Sequence, residues 1–325
     1  MAANQIMYVL PGQGSQYRGM GSDVFEKFAV AREVYTEASE ALGYDIAELS
    51  FTDERDEIGL TRFTQPALMT HQVACLRVFE DITDGRIQPV MAAGHSLGEY
   101  TALVAAGSLS LADGLRLVKR RGELMGEHGE GGMVALATDV ETARPLADRH
   151  YCQIASCNLP KQTVVGGADD DLAAMSAYAA EHMPRVRAVT LKTEGAFHTY
   201  FMVTAARLFR DVLDATHFDT PRVPVLSNYT AEVHDPDPEA IRTRLFYQLF
   251  NPVNWVGCLS TAMAAGVDTF MEFGGGLGDA DEPGGKRPNL ESIIKKTLRA
   301  SKYEADYVPA INVETIEAAA QALTA

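Results

Sequence analysis

"GHSLGEY", residues 94–100, sets a serine between two glycines, with the apolar run QPVMAA just before it and LGEYTALVAAG directly after it. An apolar stretch of strand length that ends in Gly-x-Ser-x-Gly and passes at once into a helical pattern predicts a strand–turn–helix corner with Ser96 at its apex. Such a corner lifts the hydroxyl clear of its surroundings. Gly94 and Gly98 keep side chains away, and the unpaired N–H groups of the new helix favour developing negative charge. Ser96 is then a candidate nucleophile, and the N–H of Leu97 a natural oxyanion donor. A tight turn without chemistry is the competing reading, because the five-residue pattern also arises by chance.

Outward from this corner, QIMYVLPGQG reads as a short buried strand closing in a Gly-rich turn. VFEKFAVAREVYTEASEAL and TQPALMTHQVACLRVFEDI read as helices. From about residue 132 the rhythm changes to GGMVALAT (strand), DVETARPLADRH (helix), CQIASCN and KQTVVGG (strands), DDDLAAMSAYAAEHM (helix) and RVRAVTLKTEGAF (strand). That β-α-β-β-α-β order is the ferredoxin-like split βαβ unit. Beyond it, RVPVLSNYTAEV and VDTFMEFGGG are strand candidates, and GGGLGDADEPGGKRPN is a long polar, Gly-rich loop. The expected fold is therefore α/β. Residues 1–131 and 198–325 would form a large α/β-hydrolase-like domain on a parallel sheet, with residues 132–197 inserted as a small ferredoxin-like subdomain.

The chain has 325 residues, 46% hydrophobic and 22% charged, enough for a sizeable core. No apolar stretch reaches the roughly 18–20 residues that span a bilayer, so no membrane association is expected. The opening MAANQIMYVL lacks a basic n-region and a long apolar core, so no signal peptide is expected. Cys75, Cys152, Cys157 and Cys258 show neither CxxC nor metal-ligand spacing and suit a reducing, cytoplasmic setting. A net charge of −16 argues against nucleic acid as a general partner.

A serine nucleophile needs a base. Of eight histidines, His128, His150, His182, His217 and His234 stand in polar or helix-end contexts and read as solvated. His71 lies on a predicted helix and reads as a packing residue. His95 adjoins the serine, but its side chain should point away from Oγ. His198, at a Gly-containing turn after an apolar strand, is a plausible base. Arg121 adds a second signal. In LADGLRLVKRRGELM it shares a helix face with Gly114, Leu117, Val118 and Met125, whereas Arg120 points the other way. A guanidinium on an apolar face requires an anionic partner. That partner is either a structural carboxylate or the carboxylate of a substrate, clamped by two parallel hydrogen bonds.

These residues sit in a longer series: LPGQGSQYRGMG, TQPAL, GHSLGEYTALVAAG, RLVKRRGELM, NLPKQTVVGG, GAFH, PVLSN and NPVNW. In that order the series resembles the malonyl-CoA:acyl-carrier-protein transacylases and the related acyltransferases of polyketide synthases. The resemblance implies a Ser–His dyad, Ser96 and His198, with the histidine oriented by the backbone carbonyl of Asn254. It implies an oxyanion hole from the N–H groups of Gln13 and Leu97, and Arg121 as the substrate-carboxylate ligand. Gln65, Met125, Asn158 and Gln162 match cleft positions. The implied donor is malonyl-CoA, and the acceptor is the phosphopantetheine arm of an acyl carrier protein, free-standing or within a synthase. No metal and no permanently bound cofactor is implied.

GAFH resembles the malonyl-type signature of that family, in which Phe197 would crowd an α-methyl branch; Leu97 points the same way. Gly195 departs from the signature and is expected to open the pocket somewhat, toward larger acyl units. The long loop after the last strand also departs from the family. The cations clustered near it, Lys286, Arg287, Lys295, Lys296, Arg299 and Lys302, are expected to form part of a docking surface for an acidic carrier, the alternative being a solvated helix face. Two other functions remain open: an editing acyl-carrier hydrolase on the same fold, against which Arg121 argues, and a non-catalytic carrier-binding scaffold.

Overall fold

A computed structural model describes residues 4–324; residues 1–3, which begin the stretch read as lacking a signal peptide, lie outside the described residues, as does residue 325. Among the described residues there are eight strands: β1 Ile6–Leu10, β2 Met91–Gly94, β3 Gly132–Leu136, β4 Gln153–Leu159, β5 Gln162–Gly167, β6 Ala188–Leu191, β7 Thr269–Phe273 and β8 Asp306–Ala310.

β1, β2 and β7 are buried along their whole length, as strands of a parallel sheet covered on both faces must be. They join β8 in one all-parallel sheet of order β2-β1-β7-β8. Side chains alternate between its two faces. Tyr8 and Leu10 of β1 pack with Leu68, Val73 and Phe79 of the helix Thr61–Ile82. Met7 and Val9 pack on the other face with Trp255, Leu259 and Ile294. Because the strands run in parallel, the segments after β1, β2 and β7 meet at one edge: Gly276 N–H donates to Ser15 O (2.8 Å) and His95 N–H to Leu10 O (2.9 Å). Such an edge is where open α/β sheets place their ligands.

The second sheet is antiparallel, of order β4-β5-β3-β6. With helices Val140–Arg149 and Asp169–His182 it reproduces the expected β-α-β-β-α-β order. Val134, Leu136, Ile154 and Val165 face those helices. Met133, Ala135, Ala155 and Val164 face the other way and pack with Met125 and Phe197. The cleft between the two sheets lies on that side.

Three local expectations are corrected. The helix read over residues 24–42 is two helices, Ser22–Lys27 and Ala29–Leu42, broken where Phe28 becomes extended (φ −114°, ψ 131°). RVPVLSNYTAEV is not a strand. It makes isolated bridges, Ala92 with Val225 and Leu226 with Val233, because Pro224 has no N–H to offer a ladder and the chain turns at once through Ser227–Ala231. The Gly-rich loop is partly ordered by a Leu277–Arg287 bridge and a 3₁₀ turn at Pro283–Gly285.

Candidate active site

β2 ends at Gly94 and the helix Leu97–Ala105 begins three residues later, so the chain reverses within two residues. Ser96 takes up the strain, with φ 53° and ψ −105°. Both glycines are sterically required. A Cβ on Gly94 would lie 1.8 Å from the carbonyl carbon of Gly98, and one on Gly98 would lie 2.2 Å from the Leu10 oxygen. Distant amides hold the strained backbone. Ser96 N–H donates to Asn228 Oδ1 (2.6 Å), Asn228 Nδ2 donates to Gly94 O (2.7 Å), and Gln248 Nε2 donates to Ser96 O (2.8 Å).

Ser96 Oγ is 2.7 Å from His198 Nε2. His198 Nδ1 is 2.7 Å from the Gln248 carbonyl, which can only accept, so the ring proton sits on Nδ1 and Nε2 presents a lone pair to the hydroxyl. This corrects the expectation for Asn254. Its carbonyl accepts from Cys258 N–H (3.0 Å), and its side chain caps Gly257 N–H (3.0 Å), so it is committed to starting the helix Trp255–Ala264. Gln248 ends the helix Pro238–Gln248, where the last carbonyls have no intrahelical partner and one is free for the imidazole. Burial, helped by the Arg121 charge, lowers the His198 pKa to about 3, so the ring is neutral.

Arg121 is 1% exposed, on the buried face of the helix Leu111–Glu127 with Gly114, Leu117, Val118 and Met125. Arg120 points outward to Glu123. Arg121 Nη1 donates to Gln65 Oε1 (2.9 Å), and Nη2 donates to Ser96 Oγ and Gln248 Oε1 (both 3.1 Å). Those partners are neutral oxygens, and the guanidinium also lies over the Tyr100 ring (5.2 Å to its centre), so among the described residues no carboxylate pairs with it and it stands charged beside the nucleophile. Burial pulls its pKa below the usual arginine value, opposed by Tyr100 and Glu99.

These groups line a cavity of about 330 Å³. Gln13, Gln65, Leu97, Met125, Asn158 and Phe197 also line it, in keeping with their placement from sequence. Gln13 Nε2 donates to Thr61 Oγ1 (3.1 Å), and Leu97 opens its helix, where N–H groups lack intrahelical acceptors. Gln162 is outside the lining, at the start of β5 opposite Leu159. Gly195 is also outside it, and a Cβ there would meet Gly129 Cα at 2.7 Å. Its role is close backbone packing, so the expectation that it enlarges the pocket is corrected.

His95 lines the cavity with Nε2 bonded to Asn158 Oδ1 (2.7 Å) rather than to Ser96. His71 is buried, as a packing residue should be. His234, read as solvated, is instead 4% exposed and bonded to Glu99 Oε1 (2.8 Å). Glu99, Asn228 and Gln248 went unnoticed in the sequence. Gln248 stands three residues before the first residue of NPVNW, Asn228 ends PVLSN and Glu99 lies within GHSLGEY, so the quoted motifs reached or came close to them.

The basic residues do not form one patch. Lys286 lies over the Tyr17 ring (4.5 Å to its centre), next to Gln16 on the cavity wall. Arg287 and Lys296 are exposed, as is Lys302. Lys295 and Arg299 border a groove with Asn4, Asp268 and Asp306, at the starts of β1, β7 and β8 and thus at the sheet edge opposite Ser96. A helix that descends alongside the sheet carries its cations away from the cleft.

Among the described residues no cluster of three His, Cys, Asp or Glu side chains is placed to hold a metal ion, and no helix is long and apolar enough to cross a membrane. The sequence matches the acyl transferase domain family over residues 7–274. It is 37% identical over 329 aligned positions to the malonyl CoA-acyl carrier protein transacylase of Bacillus subtilis (strain 168), covering 98% of each chain. Identity to the polyketide biosynthesis malonyl CoA-acyl carrier protein transacylase PksC of the same organism is 38% over 300 positions, 91% of this chain and 99% of that one. A crystal structure of FabD from Acinetobacter baumannii superposes with a TM-score of 0.89 at 31% identity, over 99% of both chains. A malonyl-transacylase solved in complex with a type II polyketide synthase acyl-carrier protein superposes with a TM-score of 0.89 at 30% identity, over 98% of this chain and 100% of that one.

Proposed function

The chain belongs to the acyl transferase domain family, and from that premise we propose that it carries a malonyl group from coenzyme A, through an ester on Ser96, to the phosphopantetheine thiol of an acyl carrier protein. The observation that carries this reading is the buried Arg121 guanidinium 3.1 Å from the nucleophile's Oγ, in the wall of the same cavity. An acyl group with a free carboxylate needs such a cation, and an unbranched fatty acyl group has no use for it. Relatives named for fatty-acid-type and polyketide malonyl transfer both support the substrate class. The setting we propose is the cytoplasm.

The reaction has two matching halves. His198 Nε2 takes the Ser96 proton as Oγ adds to the malonyl thioester carbonyl. The resulting oxyanion is held by the N–H groups of Leu97 and Gln13. Its collapse breaks the C–S bond, and the departing coenzyme A sulfur receives the proton from His198. The malonyl ester stays on Ser96 with its carboxylate on Arg121. The carrier's phosphopantetheine thiol then gives its proton to His198 and attacks the ester. Collapse returns the proton to Ser96 Oγ and releases malonyl-carrier. Every step is proton transfer and acyl substitution, which the chain's own side chains and N–H groups can perform. Of the basic residues expected to dock the carrier, we retain Lys286, on the cavity side of the sheet.

Intact-mass spectrometry after mixing with malonyl-CoA tests the reading. The expected result is one malonyl adduct, absent in Ser96→Ala, that moves to added carrier protein. Release of free malonate without carrier loading would indicate a hydrolase, and no adduct a binding scaffold. Arg121→Ala is expected to lower acylation by malonyl-CoA roughly 100-fold and by acetyl-CoA much less, the difference being one charged hydrogen-bonded contact.

A further inference from the structure

Beneath the serine corner lies a buried carboxylate that the acyl-transfer steps do not use. Glu99 is on the first turn of the helix Leu97–Ala105 and is 0% exposed. Its Oε1 is 2.8 Å from His234 Nε2, and both of those side chains are fully enclosed. Its Oε2 accepts from Asn228 N–H (3.0 Å) and from Gln248 Nε2 (2.9 Å).

Polarity runs one way through this cluster. A carboxylate accepts and a guanidinium donates, so the Gln248 amide between them has one permitted orientation. Nε2 faces Glu99 and the Ser96 carbonyl, and Oε1 faces Arg121 Nη2. Turned over, the amide would set donor against donor and acceptor against acceptor in a buried site, which is heavily penalised. His234 holds the second carboxylate oxygen and keeps Glu99 from rotating away. Asn228, on the same Oε2, carries the hold to the Ser96 N–H.

We propose that Glu99, locked by His234, is a positioning residue that orients Gln248 and thereby aims Arg121 at acyl groups bearing a carboxylate. This rests on the malonyl-transfer reading above. Its mark is selectivity, because a loss of folding alone would lower all substrates together.

The test compares kcat/KM for Ser96 acylation by malonyl-CoA and by acetyl-CoA. In Glu99→Ala the malonyl-to-acetyl ratio is expected to fall about 10-fold or more. Glu99→Gln can keep its oxygen toward Gln248 and Asn228 and meet His234 with its amide, so its ratio should stay within about 3-fold of the parent. Equal losses on both thioesters, or a Gln variant no better than the Ala variant, would overturn the assignment. If Glu99→Ala does not fold, His234→Leu should lower the ratio and His234→Gln restore it; an unchanged ratio in His234→Leu overturns the assignment as well. Should the parent protein form no malonyl adduct, the functional reading fails on its own. Titration of free malonate, with Arg121→Ala as the control, then still tests the pair. Binding about 10-fold weaker in Glu99→Ala than in Glu99→Gln supports it, and equal binding refutes it.

Discussion

At Ser96 and His198 the backbone leaves ordinary territory: their φ angles are 53° and 60°. Both residues were legible, Ser96 more sharply than His198, which stood at a Gly-containing turn after an apolar strand. Ser96 announces itself through flanking glycines, whose absent Cβ atoms are a sequence signal for crowding. Arg121 was equally readable, since a charge among apolar neighbours at helical spacing has no bland surface explanation. Gln248 was not. In orienting His198 it acts through a main-chain carbonyl, which every residue possesses, so no side-chain pattern marks that role. The same environment makes a prediction. Burial and the Arg121 charge depress the His198 pKa to about 3, so the base stays neutral as the medium is acidified. The kcat/KM for malonyl-CoA should therefore hold level from about pH 8 down to about pH 5, measured as initial rates of carrier loading. An acid limb centred at the ordinary histidine value would contradict this.

Among the elements, strands and helices with clean periodicity were read correctly, and the misreadings occur where tertiary contacts override pattern. Phe28 breaks a helix whose apolar spacing continues through it. Pro224 stops a ladder that the apolar residues around it favour. At the end of β7, Glu272 illustrates a feature hidden from periodicity. It is buried, accepts from Asn289 N–H and Leu290 N–H (both 2.8 Å) and from Tyr307, and so secures the start of the helix Glu291–Ser301. Burial raises its carboxyl to about 7. The folded state thus keeps the proton after the unfolded chain has lost it. Stability from this group falls as pH rises from about 4.5 to about 7 and stays lower above that, by up to about 3 kcal/mol. Glu272→Gln removes the dependence. Thermal unfolding should show the variant gaining on the parent protein between pH 5 and pH 8, and a constant gap would refute the assignment.

On the scale of the whole molecule, the parallel sheet supplies the serine corner while the antiparallel sheet supplies Met133, Val164 and Leu191 as the facing wall. The β-α-β-β-α-β order of that second sheet was visible in the residues; which of its faces closes the cavity was not, because both carry apolar side chains. Trimming that wall should relax the choice of acyl unit without touching the proton-transfer groups. Met133→Ala is expected to raise acylation by methylmalonyl-CoA relative to malonyl-CoA by roughly 10-fold, as one methyl is worth about 1–3 kcal/mol in such a pocket. Competition between the two thioesters, read by mass, checks it.

The amides that brace the serine corner come late in the chain, Asn228 being 132 residues and Gln248 152 residues beyond Ser96. A nascent chain emerging from the ribosome has its serine, arginine and histidine long before it has the carbonyl that turns the imidazole. Until then the hydroxyl has no correctly presented lone pair to receive its proton. Loss of the chain from Gln248 onward would therefore remove together the carbonyl that orients His198 and the amide that braces the Ser96 carbonyl.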